Sequence, residues 1–126
     1  MADDVQTSQV FDGPAIEDEQ LATLLEVAGP EGVREIMDAF WRSTEDILQA
    51  VSKQIDSGDF DEAYKSAHAL KGSAANVGAS LLASIARSIE GACKESNTDL
   101  LTKRVNEVND AVKVTKAAVE ELVAAA

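Results

Sequence analysis

From residue 30 to residue 125 the apolar side chains recur in steps of three and four, in four runs parted by short polar breaks. That periodicity admits little besides helices packed side by side. The last run is the most regular. Leu101, Val105, Val108, Val112, Thr115, Val119 and Leu122 alternate steps of four and three, the seam of a bundle helix facing a core, and predict a helix over 99–125. Leu82, Ile85, Ile89 and Cys93 predict a helix over 79–95, and Phe60, Ala63, Ala67, Leu70, Ala74 and Val77 one over 60–77. A longer helix over 30–57 carries Val33, Ile36, Met37, Phe40, Thr44, Ile47, Leu48, Val51 and Ile55. A short one over 15–28 carries Leu21, Leu24, Leu25 and Ala28.

The breaks have the right chemistry. Gly29-Pro30 stops the first helix, and proline suits the first turn of the next. Ser57-Gly58 ends the second, Asp59 is an N-cap for the third, and Gly78 fits a helix end that needs positive φ. The predicted fold is therefore all-α: an antiparallel four-helix bundle with an additional short N-terminal helix. Residues 1–13 are expected to form a flexible acidic lead-in and residues 14–126 one bundle domain.

Composition removes several functions. One cysteine, Cys93, cannot pair within the chain, and no Cys/His cluster has metal-ligand spacing, so a structural zinc is excluded and a reducing compartment fits. Cys93 reads as buried filler and Trp41 as core or packing rim. The first residues lack a basic start and an apolar stretch, and no run suits a bilayer, which points to a soluble cytoplasmic protein. A net charge of −12 repels nucleic acid and anionic membrane. The charge is uneven, however. Residues 63–94 hold four basic side chains, Lys65, Lys71, Arg87 and Lys94, against one acid, Glu90, a net +3; the remainder, with 7 basic and 22 acidic residues, is −15. Such an island suits docking of something negative, the plainer alternative being solvated charges placed by chance.

The only histidine, His68, lies about 130° from the centre of its helix's apolar stripe, at about 100° per residue, and is expected on the surface with Tyr64, Gly72 and Ala75. Gly72 sits one turn away inside a helix, where glycine costs about 1 kcal/mol relative to alanine. A missing side chain there lets a phosphoryl group or another backbone come close to the imidazole. Lys71 can reach the same space and neutralise an anion. The plainer reading makes Gly72 a spacer in a tight helix–helix seam.

His68-Ala69-Leu70-Lys71-Gly72-Ser73-Ala74-Ala75-Asn76-Val77-Gly78-Ala79 resembles the signature of histidine-containing phosphotransfer (HPt) domains, His-x-Leu-Lys-Gly-(Ser/Ala)-(Ala/Ser)-x-x-(Val/Leu)-Gly-Ala, at every fixed position. The order and lengths of the helices extend the resemblance over about 15–125. It implies that His68 is the phosphoacceptor, with Lys71 and Gly72 in support. The family also places a side chain that orients the imidazole 22 positions after the histidine, here Glu90; Lys94, a turn later, matches a basic position of some members. Gly91 departs from expectation as a mid-helix glycine. Tyr64, Lys65, Ala75, Arg87 and Lys94 are expected to meet the partner.

An ordinary imidazole has a pKa of about 6.5 and is largely neutral near pH 7. With Nδ1–H donated to Glu90, the Nε2 lone pair faces outward and attacks a receiver's phosphoaspartate; the reverse step loads a second receiver. No cofactor is expected on this chain, since magnesium and an acidic pocket belong to the receiver. No nucleotide-binding or kinase motif is present, and Ala69 stands where self-phosphorylating kinases carry an acid. The expectation is a monomeric phosphocarrier in a two-component phosphorelay, serving receivers of response regulators and of a hybrid histidine kinase. The competing reading is a helical scaffold or adaptor that binds signalling partners without phosphate. An enzyme using His68 as general base lacks a candidate nucleophile.

Overall fold

The computed structural model of the chain describes residues 13–126. Among them it places helices Asp18–Asp56 (α1), Phe60–Asn76 (α2), Ser80–Lys94 (α3) and Thr98–Ala124 (α4). Short turns at 57–59, 77–79 and 95–97 reverse the chain. α1 packs on α2, α2 on α3, α3 on α4, and α4 returns to α1, so four antiparallel helices close around one core. The acidic lead-in expected over 1–13 falls, apart from Gly13, outside the described residues.

The three turns share one construction. Gly58, Gly78 and Ser96 take positive φ (75°, 76° and 52°), the left-handed step that ends a helix. The next amide then reaches back into the finished helix: Asp59 N–H to Gln54 O at 2.8 Å, Ala79 N–H to Ala74 O at 2.8 Å, and Asn97 N–H to Ala92 O at 2.9 Å. The same residue caps the next helix. Asp59 and Asn97 accept the amides of Glu62 and Leu100, each at 3.2 Å.

Ala79 has no side chain for that work, and the N-terminus supplies it. Leu81 N–H donates to Ala15 O at 3.3 Å, and Ser80 Oγ donates to Pro14 O at 2.9 Å. Glu17 N–H in turn donates to Gly78 O at 2.8 Å. Residues 14–17 are thus a strap over the α2–α3 turn, not the first helical turn expected from residue 15. Their backbone groups satisfy the open helix ends, which an extra turn of α1 could not do. Gln20 continues the strap by donating to Ala75 O and Asn76 O.

The expected short helix ahead of the long one is present, beginning at Asp18. The non-helical Gly29 (φ 73°, ψ 171°) divides α1 into a short and a long arm, because Pro30 disfavours the helical conformation in the residue before it.

The core follows the apolar stripes, with Val33, Met37, Phe40 and Val51 from α1 and Leu101, Val108 and Val119 from α4. Ile36 departs from expectation at 36 % exposed, because it lies on the stripe's edge. Phe60, Val77, Val105, Val112 and Leu122 are half-buried; Arg104, Ala111 and Val123 lie inside instead. The buried line of α4 drifts from a strict heptad, as a straight helix of 3.6 residues per turn must. Arg104 is buried with its guanidinium, which donates to Ser88 Oγ and Glu107 Oε1. Trp41 is a half-buried rim residue against Phe40, and Cys93 is buried and free, both as expected.

α2 and α3 pack extensively on each other, and several of their buried side chains are small. Ala63, Ala67 and Ala74 of α2 and Ala86 and Ala92 of α3 are all buried. Small contact residues bring helix axes close, and this places a side chain of α3 within reach of the outer face of α2.

Candidate functional site

His68 projects from the middle of α2 with its side chain 63 % exposed, as its angle from the core stripe predicts. Glu90 rises from α3 behind it with a side chain only 7 % exposed, and its Oε2 lies 2.8 Å from His68 Nδ1. The other carboxylate oxygen, Oε1, lies 2.8 Å from Lys71 Nζ. One buried carboxylate therefore holds both the imidazole and the ammonium.

Burial pushes the Glu90 carboxyl up. Hydrogen bonds from Lys71 and then His68, with the charges behind them, outweigh that effect and hold the group below the usual carboxylate range. An ionised carboxylate only accepts, so Nδ1 must carry the proton in the bond to Glu90. In the neutral ring the lone pair then belongs to Nε2, on the far side from Glu90.

Gly72 lies one turn beyond His68 and is exposed; a Cβ built there meets nothing within 4 Å. The spacer reading of Gly72 fails on that geometry, since no neighbouring helix presses on it. Gly91, beside Glu90, is equally open, and Glu90 still makes both its contacts. Lys71 differs from expectation in its resting place. Its ammonium is folded onto Glu90 and half-buried, where it compensates a carboxylate that would be costly to bury unpaired.

The other expected residues fall on either side of His68. Toward the C-terminal end of α2, Lys71, Gly72, Ala75, Ala83, Ser84 and Arg87 line a shallow groove. Toward its N-terminal end, Phe60, Asp61, Tyr64, Lys65, Cys93 and Lys94 line another. Ala75, Arg87, Lys65 and Lys94 are exposed, whereas Tyr64 is half-buried. Lys65 also pairs with Glu62 at 3.3 Å in an exposed contact, of a kind that contributes little. Burial, and then the nearby Glu90 charge, push the Cys93 thiol up, away from nucleophilic thiolate.

Among the described residues no three His, Cys, Asp or Glu side chains gather as a metal set. No described helix is long and apolar enough to cross a membrane. Sequence reasoning missed the buried Arg104 and the Lys71–Glu90 bond. A charged residue on an apolar seam was the only available sign of the first, and the second follows from the close α2–α3 approach.

Comparison with known protein families gives a match to this architecture. The family model of the Hpt domain covers residues 35–125, from the long arm of α1 through α4. No curated protein matches the chain. With a closed bundle of four antiparallel helices, an exposed histidine on its second helix, and a family match over most of its length, the chain belongs to the Hpt domain family, the histidine phosphocarriers that engage receiver domains in two-component phosphorelays.

Proposed function

We propose that His68 accepts a phosphoryl group from a receiver's phosphoaspartate and passes it to the aspartate of another receiver. The observation that carries this reading is the pairing of an Nδ1 clasped by Glu90 with an exposed ring beside the open turn at Gly72. Nε2 attacks phosphorus; the N–P bond forms as the bond from phosphorus to the aspartyl oxygen breaks, and the aspartate leaves as carboxylate. The Nδ1 proton stays on the ring, held by Glu90, so the positive charge that develops on the imidazole is balanced at 2.8 Å. Transfer onward is the same step reversed.

Lys71 keeps Glu90 ionised and brings positive charge to within one turn of the transferring oxygens. Gly72 admits the receiver's loop, and the basic rim of Lys65, Arg87 and Lys94 meets its acidic pocket, where the magnesium ion belongs. The chain works as a monomeric phosphocarrier in the cytoplasm, a compartment suited to its free, buried Cys93. An adaptor that carried no phosphate would have no use for a carboxylate sunk in its core to aim an imidazole outward.

A receiver domain charged from acetyl phosphate tests this. The wild-type protein is expected to acquire acid-labile phosphate at His68, and His68→Gln to acquire none. Labelled ATP alone should leave the protein uncharged. A His68→Gln variant that takes up phosphate as the wild type does would defeat the reading.

A further inference from the structure

The hydrogen bond to Glu90 holds one atom of the imidazole, and it leaves the ring the torsional play that the bond's length and angle tolerate. A second contact is needed to set the plane of the ring and therefore the direction of the Nε2 lone pair. Tyr64 provides one. It stands one turn before His68 on α2, and the two rings lie nearly parallel, 15° apart with centroids separated by 6.2 Å, inside the range of an offset aromatic stack. Tyr64 is itself held. Lys94, one turn past Glu90 at the end of α3, carries its Nζ 5.2 Å from the centre of the Tyr64 ring, within cation–π distance. Phe60 and Cys93 flank Tyr64 in the same groove.

The two sides of His68 along α2 are thus unlike. One turn before it stands an aromatic wall; one turn after it, Gly72 has no side chain and open space around its Cα. We propose that Tyr64, steadied by Lys94, is a positioning residue that fixes the plane of the His68 imidazole and steers the phosphoryl donor onto Nε2 from the Gly72 side. The inference rests on the reading of His68 as phosphoacceptor. Tyr64 gives and takes no proton in it; the ring face does the work, so the phenolic oxygen is dispensable.

Single-turnover transfer from a receiver domain charged with acetyl phosphate separates positioning from docking, because the maximal rate constant and the half-saturating receiver concentration are read independently. Tyr64→Ala is expected to lower the maximal rate constant about three- to tenfold, the scale of one aromatic pair, and to leave the half-saturating concentration unchanged. Tyr64→Phe should stay within about twofold of wild type, since it keeps the ring face. Lys94→Gln, on an exposed residue, should lower the same rate constant by a smaller factor and, because Lys94 also belongs to the docking rim, raise the half-saturating concentration.

Nuclear relaxation of the His68 ring protons gives a second reading on the resting protein, in which Tyr64→Ala should loosen the ring and Tyr64→Phe should not. A Tyr64→Ala protein with full maximal rate and an unchanged ring overturns the inference, and so does a loss confined to the half-saturating concentration. If the wild-type protein itself stays uncharged, the parent reading fails, and the ring relaxation still decides whether Tyr64 holds the imidazole.

Discussion

Lys71 and His68 share one carboxylate: the ammonium lies 2.8 Å from Glu90 Oε1 and the imidazole Nδ1 lies 2.8 Å from Glu90 Oε2. The cation beside the imidazole is therefore coupled to it through a third group, and residues joined in one network do not act additively. Lys71→Met is expected to slow phosphoryl transfer about tenfold in the wild-type background but only about twofold in a Glu90→Gln background. A double-mutant cycle on the transfer rate checks this. Factors that simply multiply would mean that Lys71 works on the phosphoryl group without Glu90.

The same carboxylate gives the fold a pH dependence whose sign is fixed. Hydrogen bonds and charges from Lys71 and His68 outweigh burial and leave the folded-state Glu90 below its ordinary value. The stabilisation is then fully present above the ordinary carboxylate range and is lost as pH falls through the lowered folded value. Urea unfolding of the wild-type protein and Glu90→Gln, compared from about pH 7 to about pH 3, should show a stability difference that changes against the wild type toward low pH. A difference that stays flat across that range would disconnect Glu90 ionisation from stability.

Gly72 and Gly91 separate folding from function. Neither has a neighbour within 4 Å of a built Cβ, and both sit inside helices. Alanine at either position should raise stability by about 0.5–1 kcal/mol in denaturant titrations. Only Gly72→Ala should slow transfer, and Gly72→Gln should slow it further, because that turn faces the arriving group. Equal transfer rates in Gly72→Ala and Gly91→Ala would remove the steric role from Gly72.

The turns differ in how well their residues suit a left-handed step. Ser96 takes φ 52° where Gly58 and Gly78 occupy the equivalent positions. Ser96→Gly should therefore be neutral to stabilising, by up to about 1 kcal/mol. Gly78→Ala should destabilise by about 1–2 kcal/mol from backbone strain, since its Cβ meets Gln20 and Leu21 only at an ordinary 3.5 Å. Unfolding midpoints of the two variants moving in the same direction would contradict this account.

The helices, their count and the outward face of His68 were legible because apolar spacing encodes which side of a helix meets a core, and the turn residues punctuate it. The strap at residues 14–17 was not. Its amides and carbonyls serve the α2–α3 turn, a long-range use of backbone that periodicity cannot register. Arg104 broke the pattern in the other direction, a charged head with an apolar stem on a buried line. Glu90 could be matched to the family's orienting position, but its burial and its hold on Lys71 depend on the alanine-lined approach of α2 to α3. Tyr64 was read as part of the docking surface; its lean onto the imidazole ring emerges only in three dimensions.

Glu90 belongs to α3 while both its partners belong to α2, so the imidazole and the ammonium are stitched across a joint between helices. Sliding one helix past the other by a turn, about 5.4 Å, would part both bonds and strand a negative charge in the interior. The joint is thereby locked in a single register, and every incoming protein meets the same rigid template. On the function proposed for His68, discrimination among receivers would then fall to differences on the receivers' own surfaces.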